Sequence, residues 1–438
     1  MVRSVRWLAA SALLAGSLMF SAAQETITID FYYPTAVDAP INAIIQEYAD
    51  QFMAQNPGIV INPVYTGTYT QTRDTINTEI AGGGKGPDVA VMLTIDLFSF
   101  IEEGVIVPLD DFIATLDDPE GFVDDFFPAM WLNSVDEEGT IWSIPFQRST
   151  PIMFYNADLL AEKGLEVPTN LEELRAVAAA LTEPDGSRWG LMIPVQGTFP
   201  IWMFQSFAIA HGRNIVSENP AEVPFNTPEV LAAVTALTEL GTVDPVMPAG
   251  GTAWGDTPSA FIAGQAAMIY HTTGSLTTIL NNAPFTVGTA FLPSGPAGPD
   301  GTGYGAPTGG GNLYIFDTPD NPRSEAELEA AWKWVQFLAS PEVQSDWGAR
   351  TGYIAARISA WELDPLKSRV EQFPQYAVAR DQLATAGKEF SSYRTIDIQG
   401  IINSTLSQII SGAVPLSEAE ALLANAQAQI DNLLADYR

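Results

Sequence analysis

The sequence predicts an α/β protein built from at least two lobes, and three observations carry that prediction. Short strand-like runs alternate with amphipathic helical stretches along most of the chain, and several runs, such as Val89–Leu93, are continuously apolar. Strands of that kind are buried by helices on both faces, which argues for parallel sheets. The 438 residues exceed what one hydrophobic core organises. A hydrophobic content of 47%, with no later stretch of membrane-spanning length, points to a globular protein.

The elements follow in chain order. Met1–Ala23 has a basic start (Arg3, Arg6), an apolar run from Trp7 to Phe20, and Ser21-Ala22-Ala23 ahead of a polar Gln24-Glu25. That pattern reads as a secretory signal peptide cleaved after Ala23, too short and too early for a membrane span. Thr26–Tyr32 alternates as a strand, and Ile41, Ile44, Ile45, Tyr48 and Phe52 then recur at helical spacing until Asn56-Pro57-Gly58. Ile59–Tyr65 is a second strand, Thr70–Ile80 a helix ended by Ala81-Gly82-Gly83-Gly84, and Val89–Leu93 a third strand. A second alternating block opens with a strand at Ile152–Tyr155. Thr169 and Glu172 have capping-box spacing ahead of a helix over Leu171–Leu181. Thr227-Pro228 starts another helix with proline at its first position. Helices also fit Glu325–Leu338, Pro341–Gly348 and Ser417–Tyr437, while Leu292–Gly311 is a Pro- and Gly-rich loop.

Charge and residue usage narrow the function. Nineteen basic against 52 acidic residues give a net charge of −33, which repels nucleic acid and anionic membranes. The same charge serves solubility or salt adaptation. With no cysteine and two histidines, His211 and His271, nucleophilic triads and common zinc sites lack their parts. Gly82-Gly83-Gly84-Lys85-Gly86 ends a helix and precedes a strand, the reverse of the order in a phosphate-binding loop. Carboxylates are abundant, so a secreted carbohydrate-active enzyme stays open as the reading from a different class. No cofactor and no metal are expected.

Tyr32-Tyr33, Gly67-Thr68-Tyr69, Thr94-Ile95-Asp96, Arg148-Ser149-Thr150 and His271-Thr272-Thr273-Gly274-Ser275 lie at or just past the carboxyl ends of predicted strands. That edge is where open α/β sheets bind ligands. Aromatic rings can cover the apolar face of a sugar, and hydroxyl, carboxylate and backbone groups can meet its hydroxyls.

Longer stretches carry a resemblance. They are Tyr65-Thr66-Gly67-Thr68-Tyr69, PFQRSTP at 145–151 running into YNADLLAEKGL at 155–165, FIAGQAAM at 261–268 followed by Gly274-Ser275, Gly309-Gly310-Gly311, Ala339-Ser340-Pro341-Glu342 and Thr351-Gly352-Tyr353. With these the chain resembles family 1 extracellular solute-binding proteins of ABC importers over essentially its whole mature length. Within the family it is most similar to the glycerol-3-phosphate-binding component and more distantly to maltodextrin-binding proteins.

The resemblance implies a two-lobed periplasmic-binding-protein fold (type II), each lobe a sheet covered by helices with a ligand cleft between. Lobe one would be residues 24–147 with 308–354, and lobe two residues 148–307 with 355–438, closing on ligand about the chain crossings. Carried over by position, ligand contacts fall on Tyr69, Thr94, Ser149, Thr272, Gly310, Tyr353 and Gln399. In glycerol-3-phosphate binders a glutamate stands at the position of Thr94 and a phosphate-pairing arginine at that of Gln399. The loss of both favours a neutral carbohydrate or polyol, with glycerol-3-phosphate or a glycerophosphodiester as the alternative. Arg148 or Arg394 could substitute for the arginine. Tyr33 and Asp96 join the candidates from the strand-end loops. Trp202 and Trp254 are either stacking platforms or lobe core, and His271 is either a hydroxyl partner or a structural residue. The implied protein is a monomeric, non-enzymatic periplasmic receptor that delivers its small-molecule ligand to an ABC permease.

Overall fold

The computed structural model describes residues 26–197, 199–296 and 305–438. The signal-peptide reading of residues 1–23 lies outside the described residues, as do 297–304 of the Pro- and Gly-rich loop. The described strands are β1 (Ile27–Tyr33), β2 (Ile59–Tyr65), β3 (Val89–Leu93), β4 (Ile144–Ser149), β5 (Pro151–Asn156), β6 (Trp189–Met192), β7 (Ala266–Thr272), β8 (Val287–Ala290), β9 (Ala306–Pro307), β10 (Gly309–Ile315) and β11 (Ala386–Gly387). They form a five-stranded sheet in the order β2-β1-β3-β10-β4 and a four-stranded sheet in the order β6-β7-β5-β8; β9 and β11 pair in a short ribbon.

The sheets are mixed, which corrects the expectation of parallel ones. β1 runs parallel to β2 and β3, and β6 to β7. β10 is antiparallel to both β3 and β4, and β5 to both β7 and β8. The reason is connectivity. β4 leaves the first sheet at Ser149, and one residue later β5 begins in the second. β10 returns into the first sheet two strands in from where β1 stands, against the direction of its neighbours.

Strand periodicity divides each sheet between two cores. In the first, Ile29, Phe31, Val91 and Leu313 meet the helices Ile41–Gln55 and Glu325–Leu338. Ala90, Met92 and Tyr314 face the opposite side, against Leu97–Glu103. Trp334, fully buried, sits edge-on to Phe31 with centroids 5.4 Å apart. In the second sheet Met153, Met268 and Tyr270 pack with the helices Pro200–Ala210, Pro228–Thr242, Thr395–Ile410 and Ala419–Leu433. Ile152, Phe154 and Ile269 pack on the other face with Leu366 and Tyr376.

Local signals set the helix starts. Ser324 and Glu327 form a reciprocal capping box at the helix Glu325–Leu338, and Thr227 accepts the Val230 N–H ahead of Pro228. The box expected from Thr169 and Glu172 is shifted by one residue. Asn170 caps the Glu173 N–H, and the Glu173 carboxylate accepts from both the N–H and the hydroxyl of Thr169. Among the described residues the chain passes between the sheets at Thr150 and at Thr308, and Tyr353 lies beside these crossings, where the Ile354 N–H bonds Arg148 O at 2.8 Å. Among the described residues no helix is long and apolar enough to cross a membrane.

Candidate functional site: an interlobe cleft

The space between the two sheets is bounded by strand ends and the crossings. Thr68 caps the helix Tyr69–Ala81 through a reciprocal box with Gln71, which fixes Tyr69 at its first position. The turn Thr94–Asp96 follows β3, Thr272 ends β7, and Ser149, Gly310 and Tyr353 lie beside the crossings. These elements converge on a narrow inner chamber of ≈ 30 Å³, lined by Tyr69, Ser149, Thr272, Gly310 and Tyr353 together with Trp202, Trp254, Phe199 and Glu389. A second narrow chamber of ≈ 60 Å³ shares Tyr69, Trp202 and Glu389 and adds Arg73, Asp96 and Gln399. The cleft widens past Trp254 and Tyr65 toward His271 and Asn282.

Aromatic rings make the walls, held by hydrogen bonds at their polar edges. The Trp202 indole donates to Thr308 O at 2.9 Å. The Trp254 indole donates to Ala36 O at 2.9 Å, reaching from the second sheet's side to the first. Trp254 stacks near His271 with centroids 4.2 Å apart, and Phe199 meets it edge-on at 4.5 Å. Trp202 lines the cleft and packs with the second lobe's core. The glycines explain how the rings come so close. A Cβ on Gly309 would stand 2.5 Å from Trp202 Nε1, and one on Gly274 2.8 Å from the Tyr353 ring. Gly310, at φ +94°, would put a Cβ 2.2 Å from Gln147 O, a position where side chains are excluded.

Beneath the walls lies a buried polar cluster. Gln147 donates to the Tyr69 hydroxyl at 2.6 Å. Thr94, fully buried, donates its hydroxyl to the Glu389 carboxylate. Burial pushes the Glu389 carboxyl up to about 8, although Arg148 and Thr94 oppose that shift. Arg148 is 0% exposed; one guanidinium nitrogen donates to Gly310 O at 3.4 Å, and Nε and Nη2 have no partner. Burial lowers its pKa while Glu389 raises it. Asp96 is ion-paired to Arg73 at 3.2 Å, yet burial raises it to about 6. His271 is depressed to about 4 by burial, so it is neutral at pH 7. Its ring nitrogens are spent on Ser275 Oγ at 3.0 Å and Trp254 O at 3.1 Å, which is a structural placement.

The sequence candidates separate into three groups. Tyr69, Asp96, Ser149, Trp202, Trp254, Thr272, Gly310, Tyr353 and Gln399 line the cleft. Thr94 and Arg148 sit under it, coupled to Glu389. Tyr33 and Arg394 are not brought to it. Tyr33 is 5% exposed in the first lobe's core, 5.8 Å from Phe31. Arg394 is exposed, at φ +53°, and paired with Asp397. Exposure and that pairing remove it from any role as a substitute arginine in the cleft. Glu389 and Phe199 were missed, because neither stands beside a strand end that periodicity reveals.

The sequence profile of a family described as bacterial extracellular solute-binding protein matches residues 47–375. The chain belongs to that family. Among this solute-binding protein's relatives is the sn-glycerol-3-phosphate-binding periplasmic protein UgpB of Yersinia pseudotuberculosis, 27% identical over 388 residues, covering 85% of this chain and 84% of the relative. UgpB from Mycobacterium tuberculosis in complex with glycerophosphocholine superposes with a TM-score of 0.79 at 23% identity, covering 94% of this chain and 99% of that one. Maltose-bound MalE3 of T. maritima gives 0.78 at 20% identity, covering 93% and 100%. The fold of the solute-binding protein is thus the two-lobed α/β architecture that these neighbours share.

Proposed function

We propose that this solute-binding protein captures a neutral carbohydrate or polyol in the interlobe cleft and delivers it to an ABC permease. The observation that carries the ligand class is the charge of the lining. Arg73 is the one Lys or Arg among the described residues lining the inner chambers and mouth, and it is already paired with Asp96. A phosphate dianion would find the carboxyls of Glu389 and Asp96 there and no free cation. A sugar would find aromatic faces and the hydroxyls of Tyr69, Ser149, Thr272 and Tyr353.

A second reading, a glycerol phosphate ester, draws support from the Yersinia relative's name and from the two unpartnered guanidinium nitrogens of Arg148. Arg148 is buried behind the cleft with Glu389 as its nearest charged neighbour by effect, so the neutral reading is the better fit. Binding without turnover, a periplasmic location, a monomeric state and lobes of 24–147 with 308–354 and 148–307 with 355–438 belong to the same proposal.

The test is differential scanning fluorimetry with sugars, polyols and sn-glycerol-3-phosphate. A bound ligand at 100 times its Kd should add about 2.7 kcal/mol of stability. Stabilisation by sn-glycerol-3-phosphate alone would overturn the neutral reading, and chemical conversion of the ligand would overturn the transport reading.

A further inference from the structure

The segment 388–390 is held more firmly than its lack of secondary structure suggests. The Glu389 N–H bonds Asn133 Oδ1 and its carbonyl accepts from Asn133 Nδ2, both at 3.0 Å. The Phe390 N–H bonds Gln205 Oε1 at 3.1 Å, and Lys388 O accepts from Gln205 and Asn214, each at 2.9 Å. Asn133 precedes β4 and Gln205 lies on the helix Pro200–Ala210, so the backbone at 389 is clamped from both sides. Its side chain is treated differently. A carboxyl group offers several hydrogen-bonding sites, and the one hydrogen bond it receives among the described residues is from Thr94. Glu389 lines both inner chambers. A rigid backbone carrying an under-used acceptor into a cavity is the arrangement of a preorganised ligand contact.

We propose that Glu389 is the specificity-determining contact of the cleft, its carboxyl group hydrogen-bonding a hydroxyl of the bound ligand while Thr94 holds it in place. The proposal rests on the hydroxylated-ligand reading above. Thr94 holds one carboxyl oxygen, and Arg148 opposes the upward push of burial on the group. A ligand hydroxyl gains a hydrogen bond to a buried, positioned carboxyl there.

The experiment uses the mature chain, isothermal titration calorimetry and the sugar or polyol found by the thermal screen, together with its singly deoxygenated analogues. Glu389→Gln should weaken the parent ligand about 10- to 100-fold. One deoxy analogue should bind the wild type more weakly by a similar factor and lose no further affinity in Glu389→Gln. Thr94→Val should reproduce part of the loss, and Thr94→Ser should restore it. Wild-type affinity in Glu389→Gln, or the same penalty for every deoxy analogue in both proteins, would overturn the assignment while leaving the hydroxylated-ligand reading intact. If Glu389→Gln fails to fold, the analogue series on Thr94→Val decides by the same criterion. Failure of every sugar, polyol and sn-glycerol-3-phosphate to bind the wild type would overturn both. Binding of sn-glycerol-3-phosphate alone would overturn the neutral reading, and the cycle on its hydroxyls would then judge Glu389 separately.

Discussion

Replacing Trp254 by phenylalanine isolates one contact between the two sides of the cleft. The indole packs against Phe199 and His271, and its reach to Ala36 O at 2.9 Å is one polar link across the mouth, beside the one from the Thr278 hydroxyl to Asp38 O. Phenylalanine keeps a ring in the wall and removes the donor. When the cleft opens, the indole N–H and the Ala36 carbonyl both return to water, so the net contribution of the bond to closure is about 1 kcal/mol. That is about a fivefold change in the closed-to-open ratio, and a ligand that binds the closed state loses affinity by the same factor when the free protein is mostly open. Calorimetry should give a Kd about fivefold higher, and solution scattering of the ligand-free variant a radius of gyration at or above that of the wild type. Trp254→Ala should lose considerably more, because the wall itself goes. A Kd in Trp254→Phe equal to the wild type, with Trp254→Ala strongly impaired, would refute the closure reasoning and leave Trp254 as a packing residue.

Three further outcomes are expected. Arg323 pairs with Asp88 at 2.6 Å and bonds Lys85 O and Gly86 O away from the cleft; Arg323→Ala should cost about 3–5 kcal/mol of stability in chemical denaturation with ligand affinity unchanged. Gly309→Ala should force the Trp202 ring off its seat, lowering stability by about 1–3 kcal/mol and weakening binding; calorimetry showing no change in affinity would detach Trp202 from the site. The third concerns pH. Between pH 6.5 and 8 folded Glu389, pushed up to about 8, still holds its proton while the unfolded chain has released it. The folded state therefore binds more protons and stability falls as pH rises. Asp96, raised to about 6, acts in the same direction below that window, and His271, depressed to about 4, acts oppositely below 6.5. The Tm should decline from pH 6.5 to 8 in the wild type and decline less in Glu389→Gln.

What the chain revealed in advance follows from which forces are local. Val89–Leu93, Ile59–Tyr65, Leu171–Leu181 and Glu325–Leu338 were legible to the residue, because apolar period and end signals both lie within each segment. Sheet direction was not. Apolar runs tell of burial on both faces, and nothing in Gly309–Ile315 records that it enters between β3 and β4 from the other lobe. The cleft residues at strand ends were reachable for the same topological reason that placed Tyr69 and Thr272 there. Arg394 failed because a basic side chain near the right stretch says nothing of where its φ of +53° aims it. Glu389 could not be singled out from 51 other acids; its distinction is the burial and the Asn133 and Gln205 clamps, all contributed by residues more than 180 positions away.

The central seat of β10 has a consequence for how the chain matures. Its neighbours β3 and β4 are synthesised long before it, and the four strands of the other sheet, all within 151–290, come between. The first sheet therefore has an unfilled slot until more than 300 residues are free to fold, and closing it needs contacts over 160 to 226 residues of separation. Pairings so distant in sequence nucleate slowly, while β5 to β8 can assemble as a unit. The first sheet is therefore completed only when the carboxyl-terminal third of the chain arrives.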